Sequence, residues 1–262
     1  VSVREDFSER DEQEYLHLVA LSGGKDSTAM ALRLAETEPR DYLFVCTPTG
    51  DELPSMFDHW RKLGEILNKP ILPVATKSLK GVIKEQNALP NWRMRFCTRI
   101  IKIEPFQQFM LRVAPVVSYV GLRADEMDRE GATNRGGELS VAANDDLVQQ
   151  RYPLREWGWG INDVLQYLDL RGIDIPKRTD CARCFFQTLG EWYTLWQEHP
   201  EIYHDAVLQE REYGYTFRSD ARDTWPAGLA YLRKRFEAGD VPTRSLNRAD
   251  SMRNKTCRVC TL

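Results

Sequence analysis

Long apolar runs are absent from this chain. None approaches the roughly 18–20 residues of a membrane-spanning helix, so no membrane partner is expected. The segment Val1 to Glu14 is acidic and polar where an export signal would be apolar, which points to a cytoplasmic protein. Cysteine is sparse: 6 in 262 residues are too few for a disulfide-stapled secreted scaffold. The 4 histidines, His17, His59, His199 and His204, fall at no metal-ligand or triad spacing, and no chemistry is assigned to them. Internal repeats and low-complexity tracts are missing too, which removes the solenoid architectures. Nor is there a surplus of positive charge. A net charge of −3 and a pI near 5.9 exclude a uniformly basic coat for nucleic acid, so any such contact needs a local patch. What the chain does have is 42% hydrophobic residues, enough to bury a sizeable core.

The apolar stretches alternate in kind along the chain. Tyr15 to Leu21 reads as a buried strand and runs into Ser22-Gly23-Gly24-Lys25-Asp26-Ser27. A helical pattern follows over Thr28 to Glu36, with Met30, Leu32 and Leu34 among its apolar residues. Tyr42 to Cys46, Ile71 to Ala75 and Val116 to Gly121 read as further strands, and Met56 to Leu67 as a helix. Strands alternating with helices predict an α/β fold, a parallel sheet with helices on both faces. Residues 131–146 carry few large apolar side chains and read as a mobile loop or lid. Beyond Tyr152 tryptophans accumulate, and helical patterns at Ile161–Leu170, Leu189–Trp196 and Trp225–Phe236 predict a helical C-terminal subdomain. The expected organisation is a nucleotide-binding domain over 1–150 and a helical subdomain with a basic, cysteine-bearing tail over 151–262.

The turn after the first strand carries the sharpest chemical signal. Small residues at 22–24 leave backbone N–H groups free to converge on an anion at a helix start. Lys25 adds a point charge for a phosphate oxygen, and Ser22 and Ser27 offer hydroxyls. Asp26 repels phosphate, so its natural role is to hold Mg²⁺.

These residues resemble the PP-loop of the N-type ATP pyrophosphatases, which cleave ATP between the α and β phosphates. Further motifs resemble the phosphoadenylyl-sulfate reductase branch. They are Phe44 to Glu52 with its Thr-Gly loop, and Cys97-Thr98-Arg99-Ile100-Ile101-Lys102-Ile103-Glu104-Pro105. Gly121-Leu122-Arg123 with Glu126 and Arg129 follows, then Tyr152-Pro153-Leu154 with Trp157, Asp163-Val164 and Cys181-x-x-Cys184. The resemblance implies an adenine nucleotide alpha hydrolase-like fold. It places Ser22, Gly23, Gly24, Lys25, Asp26, Ser27, Thr49, Gly50 and Asp51 around the nucleotide, with Lys25, Asp26 and Ser27 acting in catalysis. Arg123 and Arg129 are expected to hold the acceptor rather than ATP. Sulfonucleotide reductases usually lack the loop lysine that this chain keeps, and carry a Glu-Cys-Gly-(Ile/Leu)-His tail that it does not show. DNA phosphorothioation proteins of the Dnd and Ssp systems share this combination. Phosphoadenylyl-sulfate or adenylyl-sulfate reduction and tRNA thiolation are the competing readings, and a non-catalytic nucleotide sensor is a third.

Two C-x-x-C pairs, Cys181/Cys184 and Cys257/Cys260, satisfy the arithmetic of a four-thiolate site, with Cys97 as a fifth candidate. A [4Fe–4S] cluster, structural zinc and free thiols all stay open. Cys46 reads as a core residue. Arg93, Arg95, Arg99 and Lys102 form a run without acids; Arg95 and Arg99 are candidate substrate contacts, and Trp92 a candidate for base stacking. The functional expectation is an ATP- and Mg²⁺-dependent enzyme that adenylates a substrate oxygen for sulfur incorporation. Its expected partners are a cysteine desulfurase as sulfur donor and a nucleic-acid substrate.

Overall fold

The computed structural model describes residues 15–126 and 147–252. Its centre is a five-stranded sheet in the order β3-β2-β1-β4-β5, with every neighbouring pair parallel. The strands are β1 (Leu16–Ala20), β2 (Tyr42–Cys46), β3 (Ile71–Pro73), β4 (Val116–Tyr119) and β5 (Val148–Arg151). Between them run α1 (Lys25–Thr37), α2 (Pro54–Ile66), α3 (Leu79–Gln86), a π-helical turn at Thr98–Ile103 and α4 (Glu104–Val113). After β5 come α5 (Pro153–Glu156), α6 (Ile161–Leu170), α7 (Leu189–Glu198), α8 (Pro200–Tyr213), α9 (Leu229–Glu237) and α10 (Thr243–Met252).

The sheet is buried on both faces, which is why its strands read as apolar runs rather than alternating ones. Side chains nevertheless alternate in direction. Val19, Phe44, Val117 and Tyr119 pack with Met30 and Leu34 of α1 and with Val164 and Leu168 of α6. Leu18, Ala20, Val45, Val116 and Val148 face the other way, onto Phe106 and Met110 of α4. A third core joins the C-terminal helices, through Trp192, Tyr203, Leu229, Leu232 and Phe236, to Leu79, Val82 and Ile83 of α3. Among the described residues no helix is long and apolar enough to cross a membrane.

Strand order places the ligand crevice. From β1 the chain moves outward to β2 and β3, then returns to β4 on the other side of β1. Open parallel sheets bind ligands beyond the carboxyl ends of their strands, where the winding direction reverses. Here that point lies between β1 and β4, and residues 21–27 and 120–126 form its rim.

Candidate functional site

The turn at residues 22–27 is held open by its own polar groups. Gly23 takes φ +81°, the left-handed region that favours glycine. The Ser22 and Ser27 hydroxyls lie 2.9 Å apart, and Ser27 Oγ donates to the Gly24 carbonyl. Helix α1 starts at Lys25 with no side-chain cap on its first turn. The amides of an uncapped first turn are available to an anion. Lys25 Nζ stands 3.6 Å from Asp26 Oδ2.

Asp26 is buried, and Arg123 Nη1 donates to its Oδ2 at 2.9 Å. Its other oxygen, Oδ1, is buried with no partner among the described residues. Burial pushes the Asp26 carboxyl up, against the pull of Lys25 and Arg123. A carboxylate with one occupied and one open oxygen beside an anion-binding turn fits a divalent cation, and Mg²⁺ would be held through Oδ1.

Arg123 is itself 2% exposed. Its Nε donates to Asp125 at 2.8 Å, and Arg155 donates to the carbonyls of Arg123 and Glu126. The Asp125 carboxylate also accepts from the Ile161 amide, and Ala124 N–H donates to the Trp159 carbonyl. Arg33 of α1 lies over both the Trp157 and Trp159 rings, clamping this segment to α1. Gly121 completes the approach: a Cβ there would sit 3.1 Å from the Ser27 amide nitrogen. The sequence assigns Arg123 to the acceptor; the structure pairs it with Asp26 of the turn at residues 22–27. Arg129 lies outside the described residues.

The second nucleotide-loop candidate, Thr49-Gly50-Asp51, is tied to the first cysteine pair. Asp51 is buried and receives the Arg183 guanidinium on Oδ1, from Nε at 2.6 Å and from Nη2, while the Arg183 amide donates to Oδ2 at 3.0 Å. Ala182 N–H donates to the Asp51 carbonyl, and Glu52 forms a bridge with Cys181. Both Asp51 oxygens are thus engaged, leaving Asp26 the better-placed cation ligand. Thr49 Oγ1 donates to Glu52 and lies 3.2 Å from Cys181 Sγ.

Cys97, Cys181 and Cys184 line one cavity of about 20 Å³ together with Thr49, Lys102 and Phe186. That is room for about one water molecule. No three His, Cys, Asp or Glu side chains among the described residues converge on a metal position, and Cys257 and Cys260 lie outside those residues. Burial pushes the Cys181 thiol up to about 12 and Cys184 well above the ordinary thiol value, so both stay protonated at neutral pH. Cys46 is buried in the sheet and pushed up to about 12 by burial, as a core thiol should be.

The basic run divides. Arg95 lies over the Phe186 ring at the cysteine pocket, whereas Arg99 is exposed and paired with Glu104. Trp92 is 60% exposed with the Arg93 guanidinium stacked on it.

Comparison with known proteins adds a family. The model described as the phosphoadenosine phosphosulfate reductase domain matches residues 17–194. An uncharacterized protein of Methanocaldococcus jannaschii is 24% identical over 236 residues, covering 86% of this chain and 56% of that protein. The chain therefore spans about half the length of this curated relative. A phosphoadenylyl-sulfate reductase from Candida auris, solved as a phosphate complex, gives a TM-score of 0.45 at 15% identity, over 62% of this chain and 75% of that one. The NH3-dependent NAD synthetase of Campylobacter jejuni gives 0.37 at 13% identity, over 95% and 91%.

Proposed function

With residues 17–194 carrying the matched domain, the chain belongs to the phosphoadenosine phosphosulfate reductase domain family, and from that premise we propose that it is an ATP pyrophosphatase. In this reading it adenylates a substrate oxygen that sulfur then replaces. The observation that carries the proposal is the phosphate loop as folded: an uncapped α1 start, Lys25 beside it, and Asp26 with one oxygen open. ATP has a β,γ-diphosphate for these groups to manage; a preactivated sulfonucleotide does not.

The acceptor oxygen attacks the α phosphorus in line, the bond from that phosphorus to the bridging oxygen breaks, and its electron pair leaves with pyrophosphate. Lys25 and the first-turn amides of α1 meet the charge that gathers on the leaving group. Magnesium, when bound, supplies further neutralisation of that charge. Arg123 favours the ionised form of Asp26 and fixes its orientation. In the second half, the outer sulfur of a persulfide attacks the adenylated centre and AMP departs with the original oxygen. A second thiol then attacks the inner sulfur, breaking the S–S bond, so that the outer sulfur stays on the acceptor and a disulfide forms. A cysteine desulfurase is the fitting source of that sulfur.

For the acceptor we infer a nucleic-acid phosphate, as in DNA phosphorothioation. The exposed Trp92–Arg93 stack and Arg99 support this, as side chains suited to bases and backbone phosphates. The family match itself favours a second reading, reduction of a sulfonucleotide. Two parallel incubations separate them. The protein with Mg²⁺ and ATP should yield AMP and pyrophosphate, while with phosphoadenylyl sulfate and reduced thioredoxin it should release no sulfite. Sulfite release without ATP cleavage would establish the second reading instead.

A further inference from the structure

Besides the segment after β4, one more stretch of chain reaches the turn at residues 22–27. It is the approach to the first cysteine pair, residues 178–184, and it is firmly held. The buried Arg178 guanidinium donates to the Cys181 carbonyl at 2.7 Å, to Gln187 Oε1 at 2.8 Å and to Asp180 Oδ1 at 3.2 Å. Farther on, the Ala182 amide donates to the Asp51 carbonyl and Arg183 grips the Asp51 carboxylate. Thr179 sits next to these anchors. It is half-buried, and its hydroxyl makes no hydrogen bond to another described residue. Its Oγ1 lies 3.7 Å from where a Cβ on Gly24 would be.

The two glycines of the turn differ in what demands them. Gly23 has a positive φ, and a Cβ there would meet Trp60 Nε1 at 2.6 Å. Gly24 has φ −73° and ψ 163°, extended backbone that any residue adopts. The nearest neighbours of a Cβ on Gly24 would be Ser22 Oγ at 3.5 Å and Thr179 Oγ1 at 3.7 Å, ordinary contact distances. Neither backbone nor packing requires glycine at 24, beyond the modest preference of an N-cap. The space over Gly24 admits one further atom and has two hydroxyls as its closest neighbours. It adjoins the uncapped first turn of α1, so an anionic oxygen suits it better than carbon. The buried, unpartnered Asp26 Oδ1, two residues on, is a separate sign that a ligand belongs here. Of the two hydroxyls, Ser22 Oγ already accepts from the Gly24 amide and lies 2.9 Å from Ser27 Oγ. Thr179 has its donor to give.

We propose that the Thr179 hydroxyl is a phosphate ligand of the nucleotide site, donating to a phosphate oxygen seated over Gly24. This rests on reading residues 22–27 as a phosphate site, and it adds a contact from beyond the sheet, on the segment that leads to Cys181. A hydroxyl donor strengthens when its acceptor is ionised, and it adds no charge of its own. Valine keeps the shape of threonine and removes the donor; serine keeps the donor and drops the methyl group. Arg178 and Arg183, which hold the segment, are unchanged in both variants.

The test uses the full chain with inorganic pyrophosphate as probe, titrated by calorimetry beside thermal melting. Thr179→Val should weaken pyrophosphate binding about tenfold, the worth of one hydrogen bond to a charged group. Thr179→Ser should bind to within about threefold of the unsubstituted protein, because the donor is retained. Both variants should melt close to the unsubstituted protein. Gly24→Ala, which fills the space with a methyl group, should weaken binding at least as much as Thr179→Val. Unchanged binding in Thr179→Val, equal loss in the valine and serine variants, or normal binding in Gly24→Ala overturns the proposal. If the unsubstituted protein binds neither pyrophosphate nor ATP, the phosphate-loop reading itself is overturned, and the Thr179 contact falls with it.

Discussion

Lys25 and Asp26 sit side by side at the start of α1 yet differ in what they can contribute. The lysine is a cation 3.6 Å from Asp26 Oδ2; Asp26 is held by Arg123 at one oxygen and open at the other. Lys25→Ala should remove a charge-assisted contact worth about 1.5–3 kcal/mol and slow ATP cleavage at least tenfold, measured as pyrophosphate release. Arg123→Ala should do more, because it strands a buried carboxylate. Breaking one side of a buried pair costs about 3–5 kcal/mol, so thermal stability should fall along with pyrophosphate affinity. Arg123→Lys should keep most of the stability and lose more of the affinity, since ammonium cannot reproduce the guanidinium's simultaneous contacts to Asp26 and Asp125. Gly23→Ala places a Cβ against Trp60 in a left-handed backbone, so nucleotide binding should be lost at a small cost to the rest of the fold. Fluorescence titration with an ATP analogue, run beside a melting curve, checks that separation.

Among the elements, α8 carries a titrating group far from the phosphate loop in function. Glu210 is buried and accepts from the amides of Phe217 and Leu229, the latter at the start of α9. Burial raises its carboxyl from 4.5 to about 7. The folded state then binds a proton that the unfolded chain has released, so stability falls as pH rises between those values. The contribution is full below about pH 4.5 and lost as pH passes through 7, amounting to about 3 kcal/mol. Urea unfolding at pH 5.5 and pH 8 should show the loss, and Glu210→Gln should flatten it. Equal pH dependence in the two proteins contradicts this assignment. Elements also differ in how well the sequence announced them. β1, β2 and β4 were legible because strands buried on both faces are continuous apolar runs. β5 was not, since Val148-Gln149-Gln150-Arg151 is polar apart from its first residue and is recruited by pairing with β4. α3 and α8 were missed for a related reason: their buried stripes are short within polar sequence, and tertiary packing fixes them.

For the molecule as a whole, the strand, turn and helix that carry the loop at residues 22–27 were readable because the pattern is local, six consecutive residues at the junction of β1 and α1. The partners of that loop were not readable, because they come from other strand ends and from α2. No spacing rule connects Asp26 with Arg123 or Asp51 with Arg183; the sheet's reversal at β1 brings the first pair together, and the packing of residues 181–183 on the loop after β2 the second. Family membership gives the architecture, while the proposed activity rests on the loop that this architecture presents. The position of the bond broken in ATP tests that activity most directly. A ³¹P spectrum followed during incubation of the full chain with Mg²⁺ and ATP should show AMP and pyrophosphate growing in equal amounts, with no ADP. Growth of ADP and orthophosphate in their place would contradict the account.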